Sequence, residues 1–154
     1  MNGVEKQIRV ATEIDVNRVK AFLDQSEVSS EGIEDSIDHF VLMEDVNQEI
    51  VATLGIERVE KNGLLRSLVV RPSIGQTDIL TLFKSIISLA KDKEMDDLYL
   101  ATNKESSVTF FELLGFEKVT KEILPKELME SNHFQKLVEM KTPIFLKSKC
   151  SVNN

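Results

Sequence analysis

A strand, a short loop and the start of a helix follow one another in residues 63–91, and this succession can bind an anion. The residues from Leu64 to Val70 form an apolar run whose leucine and β-branched content predicts a buried strand. Pro72 ends the strand, because proline lacks a ladder donor and fixes φ. After Gly75, apolar residues recur at helical spacing and predict a helix that packs on a sheet. Backbone amides at such a helix start can bind an anionic group.

Polar side chains on this strand and on the strand before it are candidates for handling a substrate. The guanidinium of Arg66 is planar and can donate two parallel hydrogen bonds to a carboxylate. This favours a small-molecule substrate that carries a carboxylate. Ser67 follows it on the same strand. Glu57, on the preceding strand, is a candidate base, and it is equally a cross-strand partner for Arg66 or Arg58. Arg66 in turn either binds this substrate or only forms an ion pair with Glu57.

The elements that must position these residues alternate along the chain. Strands are predicted at residues 7–11, 39–43, 50–59, 64–70, 97–101, 116–119 and 142–146. Helices are predicted after residue 15 and at residues 29–38, 79–91, 106–114, 126–131 and 133–138.

Three local signals predict where elements begin and end. Thr12 with Asp15 three residues later forms a capping box before the first helix. Asn62 followed by Gly63 is a strong hairpin signal after residue 59. Pro143 within the last strand predicts an edge position, because proline cannot donate to a ladder.

The composition predicts a soluble globular protein in the cytoplasm. The chain has 154 residues, of which 42% are hydrophobic and 29% are charged. A net charge of −7 argues against a nucleic-acid-binding face, and no apolar run is long enough to span a membrane. The first residues lack the apolar region of a signal peptide, and the single Cys150 fits a reducing compartment. His39 and His133 lie far apart with no cysteine near either, so no metal site is predicted.

Two motifs resemble the GNAT N-acetyltransferases. The succession of strand, Val70-Arg71-Pro72-Ser73, glycine loop and helix is similar to the family's acyl-CoA-binding segment, and residues 111–116 resemble its aromatic-x-x-x-Gly-Phe motif. The order of elements matches over nearly the whole chain. LLRSL-like, LYL-x-T-like and LP…S…F stretches most resemble the arsenic-resistance-type N-acetyltransferase subgroup. The resemblance implies an α/β (α+β) fold with a mixed, mostly antiparallel sheet flanked by helices, in a single domain over residues 1–146 with a flexible tail at 147–154.

The resemblance also implies where the chemistry takes place. In GNAT proteins a backbone amide polarises the thioester carbonyl where the fourth and fifth strands separate. This role would fall on the amides of Leu68 and Val70, with Val69 between them in the cofactor-binding segment. Glu57 resembles the glutamate that many GNAT enzymes carry on the preceding strand, where it takes a proton from the amine through water.

Further positions are matched to the binding of acetyl-CoA. The pyrophosphate would contact the backbone amides of Gly75, Gln76 and Thr77 at the helix start. Asn103 matches an asparagine that often contacts the pantetheine arm, although it is equally well placed to cap the following helix. Phe111 stands where the family usually has a tyrosine as general acid, and phenylalanine has no proton to give.

The loop at residues 75–80 departs from the family pattern. The family reads Q/R-x-x-G-x-G/A, whereas this chain reads GQTDIL, so at least two positions that should be small hold larger side chains. Asp78 brings a carboxylate to the place of the phosphates, and two like charges about 4 Å apart cost roughly 1 kcal/mol even in water. Alternatively, Asp78 only stabilises the helix dipole. Arg71 and Lys84 are the nearest cations in the sequence.

Two functions follow from these observations. The first is an N-acetyltransferase that moves an acetyl group from acetyl-CoA to the amine of a small, amino-acid-like molecule. The alternative is a catalytically inactive GNAT-fold protein that has lost CoA binding and binds a ligand or a protein partner. Neither function involves a nucleic acid or a membrane, and both are compatible with a homodimer in which the apolar Leu80 takes part.

Overall fold

The computed structural model describes residues 6–137, 139 and 143–149. Its strands are β1 Gln7–Val10, β2 Phe40–Glu44, β3 Ile50–Val59, β4 Asn62–Val70, β5 Asp97–Thr102, β6 Glu117–Val119 and β7 Ile144–Lys149. Its helices are α1 Val16–Gln25, α2 Ile33–Ser36, α3 Gln76–Asp92, α4 Glu105–Leu113, α5 Lys126–Met129 and α6 Asn132–Leu137.

In the described part of the chain, seven strands form one sheet in the order β1-β2-β3-β4-β5-β7-β6. The pairs β1–β2, β2–β3, β5–β7 and β6–β7 are antiparallel, whereas β4 and β5 are parallel. A parallel pair needs a crossover connection, and α3 provides it. The prediction of a mixed, mostly antiparallel sheet flanked by helices is confirmed. None of the helices in these residues is long and apolar enough to cross a bilayer.

The described residues divide into two compact units. The first contains the residues up to Ile56 together with Ser67–Leu89, and the second contains Glu57–Arg66 and the described residues from Ala90 onward. The division into a domain at residues 1–146 and a flexible tail remains a prediction. β7 includes Lys147–Lys149, which were expected to belong to the tail, and residues 150–154 lie outside the described residues.

The core of the first unit forms between β1, β2, β3 and the buried faces of α1 and α2. Gly55 lies opposite Phe40 in the β2–β3 register, and a Cβ atom at residue 55 would overlap the phenylalanine ring. Glycine is therefore required by this close approach. The buried side chains of this core are Ala11, Val19, Phe22, Leu23, Ile33, Ile37, Phe40, Leu42 and Ile50.

A charged cluster ties β1 to β2 and to the start of α1. Arg9 donates two hydrogen bonds of 2.8 Å to the carboxylate of Asp15 and two of 3.1 and 3.2 Å to Glu44. Arg18 contacts both carboxylates, at 3.3 and 3.1 Å. Thr12 and Asp15 form the predicted capping box. Hydrogen bonds from Arg9 hold the pKa values of Asp15 and Glu44 below their usual range, against the opposing effect of burial.

The core of the second unit surrounds β4, β5 and β7. The ring of Phe134 stacks on that of Phe145 at 5.6 Å between centroids. Burial, with a smaller effect from Asp97, raises the pKa of the Tyr99 phenol to about 12. The buried side chains of this core are Leu64, Tyr99, Leu124, Leu128, Phe134 and Phe145.

Two sequence predictions about element boundaries are wrong. Asn62 and Gly63 do not form the hairpin turn but are paired with β5, and the two-residue turn is Glu60–Lys61. Glu60 adopts the required positive φ of 58°, and Lys61 accepts a hydrogen bond from the amide of Asp96 at 2.7 Å. Pro143 precedes β7 rather than lying within it. β7 therefore keeps its donors and pairs with both β5 and β6 instead of forming an edge.

Candidate functional site

The strand β4 breaks its extended conformation at Ser67. Ser67 has a φ of 60°, which is uncommon for any residue other than glycine and interrupts the regular pleat of a strand. Its carbonyl oxygen accepts a hydrogen bond of 2.9 Å from the hydroxyl of Thr53 on β3, and both residues are buried. This bond supplies a side-chain donor to a buried carbonyl at an irregular point of the sheet. The position of Ser67 is therefore fixed by a side chain that the sequence analysis did not single out.

The three residues after Ser67 lead from the core to the surface. The side chain of Leu68 is 42% exposed, whereas Val69 packs partly against the core of the first unit. Val70 is half-buried at the end of β4. The predicted acyl-binding segment therefore lies where the strand leaves the core.

The loop that follows β4 is held by contacts within the first unit. The amide of Arg71 donates to the carbonyl of Val51 at 2.9 Å, and the amide of Ile74 donates to the carbonyl of Arg71 at 3.0 Å. Ile74 is buried. The guanidinium of Arg71 lies over the ring of Phe22 at 5.5 Å from its centroid, a cation–π contact. These contacts position the start of α3 relative to the end of β4.

The first turn of α3 presents backbone amides beside open space. The amide of Ile79 donates to the carbonyl of Gly75 at 3.1 Å, so the amides of Gln76 and Thr77 precede this helical hydrogen bond. The side chains of both residues are exposed. A Cβ atom at Gly75 would meet no atom within 4 Å. An anion could approach these amides, because the helix dipole and the open space both favour it.

Asp78 in this turn is paired with a lysine from the beginning of the chain. The Nζ atom of Lys6 lies 3.3 Å from Oδ2 of Asp78. Neither Arg71 nor Lys84, the cations nearest in sequence, forms this contact. Lys6 immediately precedes β1, and nothing in the local sequence pattern indicates that it reaches α3. The carboxylate of Asp78 is therefore balanced by a positive charge.

Other predicted site residues lie in the second unit. Glu57 near the end of β3 is partly buried, and its Oε1 atom is fully buried. Arg66 on β4 is also partly buried. Arg58, one of the cross-strand partners considered for Glu57, donates hydrogen bonds of 2.8 Å to the carbonyls of Glu60 and Lys93. The guanidinium of Arg58 is therefore directed at backbone oxygens.

The parallel register of β4 and β5 is short. It joins Asn62 to Asp97, Gly63 to Leu98 and Leu64 to Tyr99. In the described chain β5 continues to Thr102 and β4 to Val70, beyond this register. The separation of the two strands remains a prediction.

Asn103 and Phe111 lie after β5 and in α4. Asn103 is exposed in the bend that follows β5, and the N-cap of α4 is Lys104. The alternative interpretation of Asn103 as the helix cap is therefore wrong. Phe111 is buried, with its ring 5.6 Å from that of Phe110 and 6.2 Å from that of Phe116. It packs in the hydrophobic interior of the second unit.

Comparison with solved structures identifies the fold. A GNAT-family acetyltransferase from Staphylococcus aureus Mu50 superposes with a TM-score of 0.72 at 18% identity, over 96% of this chain and all of that one. A Mycobacterium tuberculosis protein in complex with CoA gives a TM-score of 0.74 at 16% identity, over 93% and 98% of the two chains. N-acetylglutamate synthase from Neisseria gonorrhoeae, complexed with coenzyme A and N-acetyl-glutamate, gives 0.73 at 17% identity. The match covers 98% of this chain but only 36% of the synthase. The chain therefore has the GNAT fold.

Comparison with sequences places the chain in a narrower family. No protein-family model matches it. It is 40% identical over 129 residues to YwlB of Bacillus subtilis (strain 168), described as an uncharacterized protein. The match covers 83% of this chain and 86% of YwlB. The chain belongs to the family of YwlB.

Proposed function

We propose that this protein is an N-acetyltransferase that moves the acetyl group of acetyl-CoA to the amine of a small molecule. The break in β4 at Ser67, together with the exposed first turn of α3 after the loop that follows β4, is the observation that carries this proposal. CoA is bound in the solved structures of the Neisseria synthase and the Mycobacterium protein, which share the fold. Acetyl-CoA needs both sets of amides: those of the strand polarise its thioester carbonyl, and those of the helix bind its pyrophosphate.

The acetyl carbonyl is polarised by backbone amides after the break. Attack of the amine on the thioester carbon forms a tetrahedral intermediate, and the negative charge on its oxygen is stabilised by amides that are already oriented. The amides of Leu68 and Val70 take this role, with Val69 between them. When the intermediate collapses, the carbon–sulfur bond breaks and CoA leaves as a thiolate. This departure needs no side-chain acid, which accommodates phenylalanine at position 111.

The pyrophosphate of acetyl-CoA is bound by the first turn of α3. The backbone amides of Gly75, Gln76 and Thr77 bind the pyrophosphate, where the helix dipole adds to the hydrogen bonds. Asn103, which is exposed, contacts the pantetheine arm. The altered loop is compatible with this role, because backbone amides rather than particular side chains make the contacts.

The acceptor is an amino-acid-like molecule with a free amine and a carboxylate. Arg66 binds the carboxylate with its planar donors, and Ser67 lies next to it in the chain. Glu57 accepts the proton that the amine loses during attack, through a water molecule. The Neisseria synthase, whose complex contains N-acetyl-glutamate, is an example of this substrate class on the same fold. A cytoplasmic location, a homodimer and the likeness to the arsenic-resistance-type subgroup remain predictions.

A second candidate function is binding without acetyl transfer. Phe111 favours it, because the side chain at this position is buried and has no proton to donate to the CoA thiolate. Such a protein has lost CoA binding, binds another ligand or a protein partner, and releases no free CoA. The two candidates therefore differ in whether a thiol is produced.

The experiment that tests this proposal measures thiol release from acetyl-CoA in the presence of single amino acids. We expect wild-type protein to release CoA with at least one acidic or other carboxylate-bearing amine. Glu57→Gln should lower kcat by about 100-fold or more, since a general base contributes roughly that much. Glu60→Gln, in the exposed turn at the end of the same hairpin, is the matched control and should leave kcat unchanged. Absence of thiol release with every amine tested, in a protein that remains folded, would favour the second candidate.

A further inference from the structure

Asp78 and Lys6 form an ion pair at the first turn of α3. The ammonium nitrogen of Lys6 lies 3.3 Å from Oδ2 of Asp78, and the two side chains are 24% and 31% exposed. Partial burial of this kind reduces the screening of the pair by solvent. β1, which begins one residue after Lys6, is fixed by the hydrogen bonds of Arg9 to Asp15 and Glu44. The lysine therefore extends from an anchored strand.

Asp78 directly follows Gln76 and Thr77 in the first turn of α3. An anion bound at those amides would experience repulsion from an unbalanced carboxylate in the same helical turn. The ammonium of Lys6 cancels this charge. It is also a point charge with three donors, of which the contact with Asp78 uses one. The net effect of the pair at the helix start is therefore close to neutral, and the attraction of the helix dipole is retained.

We propose that Lys6 is a positioning residue for acetyl-CoA, which it serves by masking the carboxylate of Asp78. This inference rests on the proposed function, because it assumes that the pyrophosphate binds at the first turn of α3. It explains how a loop with an acidic residue accepts a polyanionic cofactor. The lysine acts through Asp78, so its contribution to affinity disappears when residue 78 carries no charge.

Isothermal titration with acetyl-CoA at low salt tests this coupling in the full-length protein. Lys6→Gln should raise Kd about fivefold, which is the order expected for one partly exposed charge. Lys6→Arg keeps the charge and should stay within about twofold of wild type. In an Asp78→Asn background, Lys6→Gln should change Kd by less than about twofold. The effect of Lys6→Gln should also shrink at about 1 M salt, where the Debye length falls to about 3 Å.

Lys20→Gln is the matched control, because Lys20 also forms an ion pair in the first unit, with Glu34, but on α1. It should leave Kd unchanged, and thermal unfolding of each variant shows that folding is retained. Wild-type binding with no effect of Lys6→Gln, or with an equal effect in the Asp78→Asn background, would overturn the inference and leave the proposed function standing. Absence of wild-type binding would instead overturn the proposed function, and the inference with it.

Discussion

The hydroxyl of Thr53 donates a hydrogen bond of 2.9 Å to the carbonyl oxygen of Ser67, the residue at which β4 takes a left-handed φ. Thr53 is fully buried and Ser67 is 8% exposed, so water has little access to this carbonyl. The conformation of Ser67 determines the direction of the amides that follow it. The threonine on β3 therefore supports the segment to which we assign the polarisation of the thioester.

Removal of this hydroxyl should destabilise the fold and impair acetyl transfer together. Thr53→Val keeps the volume of the side chain but removes this hydrogen bond to the Ser67 carbonyl, at a cost of about 0.5–1.5 kcal/mol in the free energy of unfolding. We expect kcat to fall because the amides of Leu68 and Val70 lose their orientation. Denaturant unfolding and thiol release measure the two effects. Thr53→Ser retains a hydroxyl and should recover most of both, and equal behaviour of the two variants would refute this role.

The charged cluster around Arg9 predicts a loss of stability in acid. The folded state holds the pKa values of Asp15 and Glu44 below those of the unfolded chain, chiefly through hydrogen bonds from Arg9. The stabilisation is therefore complete above the unfolded values near pH 4 and is lost as the pH falls through the folded values. We expect the free energy of unfolding to decrease steadily below about pH 4.

Arg9→Gln is the variant that isolates this contribution. It leaves the buried carboxylate of Asp15 without its main donor and should lower the free energy of unfolding by roughly 2–4 kcal/mol at neutral pH. Its acid dependence should be flatter than that of wild type. Lys20→Gln removes an exposed ion pair with Glu34 and should leave the free energy of unfolding nearly unchanged. Parallel acid profiles of Arg9→Gln and wild type, measured by urea unfolding, would contradict the assignment.

Tyr99 should titrate at unusually high pH. It is the one tyrosine of a chain without tryptophan, so phenolate absorbance near 295 nm reports it alone. Burial raises its pKa to about 12, against about 10 in an unfolded chain. Because the folded pKa is the higher one, stability is complete below about pH 10 and is lost as the pH rises towards 12. A folded-state midpoint near 10 would mean that the phenol is not buried.

The sequence predicted the elements well where hydrophobic periodicity decides them. β3 has the predicted bounds at residues 50–59, and α1 begins after residue 15 as predicted. Apolar patterns determine which face a strand or helix buries, and this information is local. The wrong predictions concern boundaries that tertiary pairing decides. Asn62 and Gly63 carry a turn signal, but pairing with β5 draws them into β4.

The supporting contacts of the site could not be predicted for the same reason. Thr53 is one of several small residues on a buried strand, and only the register with β4 makes its hydroxyl meet Ser67. The charge of Asp78 is evident in the sequence. Its partner Lys6, however, lies far earlier in the chain, just before β1. Contacts between residues distant in sequence depend on packing, which periodicity does not encode.

Titration of the wild-type protein with acetyl-CoA by calorimetry at low salt tests the central claim most directly. If the amides at the first turn of α3 bind the pyrophosphate and the pair of Lys6 with Asp78 removes the opposing charge, binding should occur with a Kd on the order of micromolar. A thermal shift should accompany it, since a ligand that binds only the folded state stabilises it. Absence of both heat and thermal shift at millimolar acetyl-CoA would contradict the proposed acetyltransferase function.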